Sequence, residues 1–515
     1  MSAGRRTDAR PPVLEPGSGP CADAEVSSAR RTRARAHGAV GYCGRHLKST
    51  PVMVMAGGRG SRLGPLACYR AKPAMPFAGR YRLIDFVLSN LINSGYRRVY
   101  LLTQFMATSL IRHVNHNWRL SGMGEFIEVV PAQMRAGECW YEGTADSVYQ
   151  NLHLLQRAAS ESVAVFGSDH VYTFAVDQLE EAHYDQGADL TVAAFPVPRS
   201  EARRFGVLQV DARGRVTGFE EKPAEPVPLP GQPDTCLVSM GNYIFRTEVL
   251  YETLRSDAQD ESSEHDFGKS IVPKLVKEGA RVFAYDFRNN RIPGALATHG
   301  PYWRDVGTID SFFGANMDVL NPLSSLDLYN PRWQIRSAQR HYPPAQFSLS
   351  DAPADVVQSM VGEGSIVANA KLAGSLLGYD CLVQARAVIE NSVIFSGCDI
   401  GRDVRLRRVL MDKNCSLAPG VAIGHDPTSD AERFPFISDA GVVVLPKGTH
   451  VPRTGPILFA PDVAQILRND PVAGPKLQTF SGKALIEDGD LSSHQSVGPR
   501  RNGRGKLSDG KEPRG

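Results

Sequence analysis

Several short segments of this 515-residue sequence carry residue types that handle phosphate and a divalent cation. The first is Ala56-Gly57-Gly58-Arg59-Gly60-Ser61-Arg62-Leu63, directly after the apolar run Val52 to Ala56. Glycines at a strand end let backbone N–H groups approach phosphate oxygens without interference from a Cβ. The guanidinium groups of Arg59 and Arg62 can hold oxyanions in bidentate fashion. The loop lacks the Lys-Ser/Thr ending of a P-loop, and Leu63 stands where a dinucleotide fingerprint has its third glycine. A plain glycine turn is the alternative.

In Arg70-Ala71-Lys72-Pro73-Ala74 the proline makes Lys72 a pre-positioned cation, although a solvated surface lysine has the same spelling. Val163-Ala164-Val165-Phe166-Gly167-Ser168-Asp169-His170 reads as an apolar strand delivering a carboxylate at its C-terminal end. Mg2+ takes carboxylate oxygens together with substrate phosphates. Asp169 is therefore a candidate metal ligand, with Asp305 of Tyr302-Trp303-Arg304-Asp305-Val306-Gly307-Thr308 as its partner. His170 suits a structural donor better than a ligand, since Mg2+ disfavours imidazole. In Trp140-Tyr141-Glu142-Gly143-Thr144-Ala145-Asp146-Ser147, Thr144 is placed to cap the helix that continues through Val148 and Leu152. The aromatic pair there fits core filling equally well. Glu220-Glu221-Lys222-Pro223 and Ser239-Met240-Gly241-Asn242-Tyr243 offer what a sugar phosphate needs. Glu221 and Ser239 are partners for hydroxyls, and Lys222 is a cation for the phosphate. Taken singly, each is an ordinary loop.

The elements that must position these groups are legible from hydrophobic period. Strand candidates are Val52 to Ala56, Val99 to Thr103, Val163 to Phe166, Leu190 to Phe195 and Tyr243 to Phe245. Between them, Leu83, Phe86, Val87, Asn90 and Leu91 share a helical face, as do Val148, Leu152 and Leu155. This alternation predicts a three-layer α/β domain with a largely parallel sheet, in which ligands bind beyond the carboxyl ends of the strands. After about residue 355 the period changes. Leu377, Val383 and Ile389 are six apart, and the triplet recurs as Ile394, Ile400, Leu406 and as Met411, Leu417, Ile423. One inward residue on each of three sides per coil predicts a triangular parallel β-helix. Cys381, Cys398 and Cys415 keep the same seventeen-residue spacing, so they should stack. A column of small buried side chains explains them better than a metal site.

Composition bounds the rest. With Lys+Arg 58 against Asp+Glu 55 the formal charge is +3, which gives no reason to expect a nucleic-acid partner. No apolar run is long enough to span a membrane. Eight cysteines without a CxxC pair fit a reduced cytoplasm better than a disulfide framework, and no signal peptide is apparent. Residues 1–48, rich in Arg, Ala, Gly, Pro and Ser, read as a disordered basic extension, and 475–515 as a disordered tail. For the former, a basic arm and a misplaced translation start are alternatives.

In this order, over roughly residues 50 to 450, the motifs resemble the ADP-glucose pyrophosphorylase (glucose-1-phosphate adenylyltransferase) family, bacterial type. The resemblance also rests on His265-Asp266-Phe267-Gly268-Lys269. It implies a Rossmann-like nucleotidyltransferase domain over 49–322, a linker over 323–355, and a left-handed β-helix over 356–455. It implies synthesis of ADP-glucose from ATP and glucose 1-phosphate with release of diphosphate, for glycogen or another α-glucan, by a homotetramer under allosteric control. By the same resemblance Gly57, Gly58 and Arg62 hold the nucleotide phosphates, and Gln133, Gly143, Thr144 and Asp146 surround base and ribose. Tyr141, Gly206, Glu221, Lys222 and Ser239 hold glucose 1-phosphate. Asp169 and Asp305 hold Mg2+, and Arg62 and Lys72 join Asp169 as catalytic groups.

Departures bear on regulation. Members of the family are often switched by phosphometabolites held by basic residues between the two domains. Tyr69 and Pro76 stand where the enteric pattern has lysine and histidine, and Glu432 and Phe436 replace arginines flanking Arg433. Arg70, Arg82 and Arg433 remain as candidates for an anion site, with an activator such as a hexose monophosphate in place of fructose bisphosphate. The competing functional readings are transfer to another nucleotide or sugar, and a regulatory subunit without turnover. Acyl transfer, which β-helices also host, lacks a histidine in coils 361–423.

Overall fold

Apolar runs that are buried on both faces become the central strands of a sheet. In the computed structural model, which describes residues 48–135, 140–156, 160–296, 300–321, 323–348 and 354–477, the run Val52–Ala56 forms β1. Expectations for the two chain termini therefore lie outside the described residues, except at Lys48 and 475–477. The further strands are β2 Arg98–Thr103, β3 Phe126–Pro131, β4 Ser162–Gly167, β5 His170–Tyr172, β6 Leu190–Pro198, β7 Gly206–Val210, β8 Val216–Glu221, β9 Thr235–Arg246, β10 Val282–Asp286 and β11 Trp303–Asp305. Nine of them make one sheet along the path β8-β7-β9-β4-β1-β2-β3, with β6 paired to β9 and β10 to β6.

The half that runs β4-β1-β2-β3 is parallel, as expected. The other half is not. β9 runs antiparallel to β4, β6 and β7, and β7 and β8 form an antiparallel pair. The expected mostly parallel sheet is thus a mixed one. The physical reason is connection length: β7 and β8 are joined by a turn of a few residues, too short for the crossover that a parallel pair requires.

Parallel register aligns the strand ends. Ala56 pairs Thr103, Met55 pairs Gly167, and Thr103 pairs Pro131, so the residues after β1, β2 and β4 emerge along one rim. Helices α1 Leu83–Asn93, α2 Thr108–Asn117, α3 Thr144–Tyr149, α4 Val176–Asp185 and α5 Thr247–Asp257 flank the sheet, whereas α6 Ile309–Asp318 packs against β11. One sheet face packs Val54, Val87 and Leu91 together, and the other packs Met53, Val148 and Leu152. The short β11 lies antiparallel to β5 with Asp305 opposite His170, and this register brings Asp305 beside Asp169.

The second domain is the expected triangular β-helix. Its three parallel stacks include Leu382–Val383 on Asp399–Ile400, Val388–Glu390 on Arg405–Arg407, and Val393–Ile394 on Val409–Met411. All nine inward residues read from the period are buried, and so are Cys381, Cys398 and Cys415. The corners require left-handed backbone, and Asn391, Asn414 and Asp380 supply it with φ of 43°, 58° and 55°. Stacking starts earlier than the period revealed: Gln346–Ser348 already pairs with Ile366–Ala368, inside the segment expected to be a linker. That segment also carries Trp333, buried against the first domain with its Nε1 donating to Asn90. Near the far end an excursion with α7 Pro427–Arg433 leaves the coil before Val443–Leu445 stacks on Val409–Met411. A shared apolar cluster, including Phe77, Phe312, Phe395, Leu410 and Val444, fastens the β-helix to the first domain, and α8 Pro461–Asn469 adds Val463 and Leu467.

Candidate active site

The rim of the parallel half opens into a cavity of about 650 Å3. Gly57 and Gly58 leave β1 directly into its wall. Gly60 has φ +68°, and a Cβ there would sit 2.9 Å from the Lys72 Cβ, so glycine allows the loop to close over the lysine stem. Arg59 and Arg62 line the same wall and are exposed. Lys72 opens a single 3-10 turn with Pro73, and the turn is buried.

At the cavity floor the Lys72 ammonium lies 2.9 Å from Asp169 Oδ2 and 3.5 Å from Asp305 Oδ1. Burial by itself would raise the Asp169 carboxyl, but the Lys72 ammonium and His170 outweigh it and hold the group well below the usual carboxylate range. His170 Nε2 stands 3.6 Å from Asp169 and 3.9 Å from Asp305, and its ring meets Trp303 edge-on at 5.3 Å. Two carboxylates converging on one cation, in a cleft where Asp169 is 41% exposed, form a hard-oxygen donor pair. The set fits a divalent cation whose remaining ligands come from phosphate and water; among the described residues no cluster of three or more metal-ligating side chains exists.

The opposite wall belongs to the antiparallel half. Glu221 ends β8 and Lys222 follows it with φ +51°, a left-handed conformation that costs energy outside glycine. The Lys222 ammonium lies 2.5 Å from Glu221 Oε1. A Cβ on either Gly206 or Gly268 would come within 2.7 Å of Glu221 Oε2, so both glycines make room for that carboxylate. Ser239 Oγ accepts from the Gly241 N–H at 3.2 Å.

Thr144 lines the cavity but does not cap its helix. The first amides of α3, Ala145 and Asp146, donate instead to the His265 carbonyl at 2.8 and 3.2 Å. The Thr144 hydroxyl turns to Asp266 at 2.8 Å. Gly143 is forced by the same contact, since a Cβ there would lie 2.1 Å from the His265 oxygen. Tyr141 lines the cavity, its hydroxyl accepting from Asn151 at 2.9 Å.

Of the residues expected at substrate, Gly57, Gly58, Arg62, Lys72, Tyr141, Gly143, Thr144, Asp169, Gly206, Glu221, Lys222, Ser239 and Asp305 all line this one cavity. Two do not. Gln133 is exposed beyond β3, and the Asp146 carboxylate faces its own helix, accepting from Glu142 N at 3.0 Å and Gln150 Nε2 at 2.8 Å. Gln104 and Asp266 are among the lining residues to which the sequence reading assigned no role. Gln104 directly follows β2 and brackets the Tyr141 backbone, accepting from its N–H at 3.1 Å and donating to its carbonyl at 3.3 Å. Its place after an apolar strand was the available signal. Asp266 joins Thr144 to the turn Phe267–Ile271.

The expected anion-site arginines separate. Arg70 is buried and already engaged, donating to Asp412 Oδ2 at 2.6 Å. Arg82 donates to the Ser109 carbonyl at 2.8 Å. Burial, reinforced by Arg70 and Arg82, pushes the Lys413 ammonium down to about 7. Arg433 is occupied elsewhere, with the Pro452 carbonyl and the Phe434 ring.

Residues 51–322 match the family model described as nucleotidyl transferase, and 343–445 match that of the GlmU-like C-terminal hexapeptide. A glucose-1-phosphate adenylyltransferase 1 of Vibrio vulnificus is 46% identical over 401 residues, which are 78% of this chain and 98% of the relative. A glucose-1-phosphate adenylyltransferase of Thermus thermophilus is 48% identical over 406 residues, 77% of this chain and 97% of the relative. That of an Anaeromyxobacter species is 44% identical over 405 residues, with 78% and 98% covered.

Proposed function

Because this chain belongs to the glucose-1-phosphate adenylyltransferase family, making ADP-glucose for glycogen biosynthesis, we propose how its cleft brings the two anionic substrates together. Glucose 1-phosphate is itself the nucleophile, so the reaction needs no strong general base. A phosphate oxygen of the sugar phosphate forms a bond to the α-phosphorus of ATP. The bond from that phosphorus to the bridging oxygen breaks, and pyrophosphate leaves with the electron pair. The obstacle is the meeting of two polyanions, and fixed cations that neutralise charge growing on the α-phosphoryl oxygens lower it.

In this reading Gly57, Gly58 and Arg62 take the nucleotide phosphates, with Gly143 and Thr144 toward the nucleoside. Lys222 takes the sugar phosphate, while Glu221, Ser239, Tyr141 and Gly206 surround the sugar. Lys72 sits between. Asp169 and Asp305 would hold Mg2+, which supplies charge neutralisation on the phosphates and a template for their alignment. The observation that carries the reading is that Arg62, Lys72, Asp169, Lys222 and Asp305 share a single cavity across the two halves of the sheet.

The purified chain, assayed for pyrophosphate release with Mg2+ and a panel of nucleotides and sugar phosphates, tests it. The expected result is turnover with ATP and glucose 1-phosphate without any partner protein, and preference for another pair would replace the substrate assignment. Asp169→Ala should lose on the order of 10²-fold or more in turnover. Wild-type rates from that variant would refute the metal-holding role.

The division into a catalytic part, 49–322, and a β-helix whose stacking begins at Gln346 goes with this reading. So does a homotetramer, tested by light scattering. Regulation by a phosphometabolite is proposed from the family alone, since Asp412 already occupies Arg70 and Arg433 is engaged elsewhere. A titration against hexose monophosphates and fructose bisphosphate decides which effector acts, and strong activation by the latter would overturn the preference for the former. A cytoplasmic location is supported by free, buried Cys68, Cys236, Cys381, Cys398 and Cys415, and no described helix is long and apolar enough to cross a membrane.

A further inference from the structure

The β-helix grips the catalytic domain through apolar side chains, and polar ties also cross between them, two of which lead toward the cavity floor. In the first, Asp412 follows the coil strand Val409–Met411 and is fully buried. Its Oδ2 accepts from Arg70 Nη2 at 2.6 Å and from the Tyr69 hydroxyl, and its Oδ1 accepts from the Lys413 N–H at 2.7 Å. Arg70 lies two residues before Lys72, and Ala71 between them donates its N–H to the Met106 carbonyl at 3.3 Å.

In the second tie, the carboxylate of Asp310, in the first turn of α6, accepts from the Ser438 hydroxyl and from the Ala440 N–H at 3.3 Å. Ser438 belongs to the excursion between the last coils, stabilised by its own acceptance from the Val442 N–H at 3.0 Å. The chain enters α6 directly from Asp305 through buried Val306 and Gly307, and Thr308 caps the helix. The two tied segments therefore end in the two side chains that meet at 3.5 Å on the cavity floor, Lys72 and Asp305.

We propose that Asp412 and Ser438 are positioning residues for nucleotidyl transfer: through Arg70 and Asp310 the β-helix fixes the spacing of Lys72 against Asp305. This rests on the catalytic reading of Lys72, Asp169 and Asp305. Apolar contact alone is non-directional and leaves packed surfaces free to slide by fractions of an ångström. Hydrogen bonds lose strength steeply outside a narrow range of distance and angle, so paired polar ties set register. A misplacement of about 1 Å at a reacting centre can cost up to roughly 10²-fold in rate. Neither Asp412 nor Ser438 lines the cavity, so both act through other residues.

The test uses the full chain and compares Asp412→Asn, Ser438→Ala and Ser438→Thr, with Asp305→Asn alongside. Asp412→Asn keeps the side-chain size but ends the charge pairing with Arg70. Ser438→Ala removes one donor from a partly exposed site and keeps the question open to measurement should the Asp412 variant fold poorly. The expected result is kcat lowered by about tenfold in Asp412→Asn and severalfold in Ser438→Ala, with KM for both substrates little changed, since a displaced charge is felt most in the transition state. Ser438→Thr, which retains the hydroxyl, should recover most of the rate. A purely structural role predicts instead a lower Tm with wild-type kcat per folded molecule, and that result in both Asp412→Asn and Ser438→Ala would overturn the proposal. Asp305→Asn separates the two levels. Wild-type turnover there would remove the catalytic reading and this inference together, whereas loss of turnover there beside wild-type kcat in the other two would remove this inference alone.

Discussion

Two charged pairs stand two residues apart on the same stretch of chain, and their surroundings give them opposite roles. Lys72 meets Asp169 at 2.9 Å on the floor of an open cleft, with the Lys72 side chain 6% and the Asp169 side chain 41% exposed. Arg70 meets Asp412 at 2.6 Å between the domains, where the side chains are 7% and 0% exposed. In the cleft, burial works against the Asp169 carboxylate but the facing ammonium keeps it ionised. Between the domains burial dominates, pushing the Asp412 carboxyl up to about 7 and the Lys413 ammonium down to about 7. The same residue types thus give a pair open to solvent in the cleft, and a closed joint between the domains. A sealed pair satisfies its own charge, whereas an open pair has charge left for a ligand.

The comparison breaks most visibly if the two cations behave alike when removed. Lys72→Met should lower turnover on the order of 10²-fold or more, because a preorganised charge near the transferred phosphoryl group is lost. Its Tm should move little, since Asp169 still faces the cleft. A large Tm loss with turnover nearly intact would place Lys72 with the structural pairs. Arg70→Met should do the reverse. Breaking a buried ion pair leaves an uncompensated charge and costs about 3–5 kcal/mol. Chemical denaturation should show that loss, with kcat per folded molecule falling by about tenfold at most. Adding Asp412→Leu to Arg70→Met should restore part of the stability, because the buried charge is gone while the Tyr69 hydroxyl and the Lys413 N–H lose their acceptor. No recovery in the double variant would mean that the joint depends on charge for more than its own neutralisation.

The contrast also marks where sequence reasoning succeeds and where it stops. Repeating or local patterns were legible. The seventeen-residue period located the inward residues of three coils from Leu377 to Ile423, because each coil repeats one geometry. The strand β1 and the glycine loop after it are adjacent in sequence, so their joint place at the cavity wall could be read from spacing alone. Groups satisfied by remote partners were not legible. Nothing near Thr144 shows that the His265 carbonyl caps its helix and that its hydroxyl is drawn to Asp266. Nothing near Arg70 shows that Asp412 occupies it, so it read as free for an effector. Local sequence likewise could not show that the register turning antiparallel at β9 would make the sheet mixed.

The pH response sharpens the comparison further. A lysine whose folded-state pKa is lowered binds fewer protons folded than unfolded across the interval between the two values. For Lys413 that interval runs from about 7 up to the ordinary 10.5, so its contribution makes the fold more stable as pH rises through the window and less stable as pH falls toward neutrality. Lys413→Met should flatten the Tm profile between pH 7 and 10 without altering KM for either substrate. An unchanged slope would show that the ammonium is better solvated between the domains than its burial indicates.

The smallest expected effect concerns Tyr69, one of the residues that depart from the enteric pattern. Its hydroxyl donates to Asp412 and accepts from the Lys447 N–H at 3.2 Å, and its ring lies under the Arg70 guanidinium at 4.5 Å. Tyr69→Phe keeps the ring and so the stacking on Arg70, and removes only the hydroxyl. Asp412 Oδ2 would retain Arg70, but the Lys447 N–H would lose its acceptor. The expected destabilisation is about 1–2 kcal/mol, the usual size for one buried hydrogen bond with a group left unsatisfied. If the open and sealed pairs are as distinct as their surroundings indicate, turnover should stay within about twofold, because Arg70 still holds its carboxylate and Lys72 keeps its place. A stability loss as large as that of Arg70→Met would instead make the tyrosine hydroxyl, rather than the guanidinium, the main partner of Asp412.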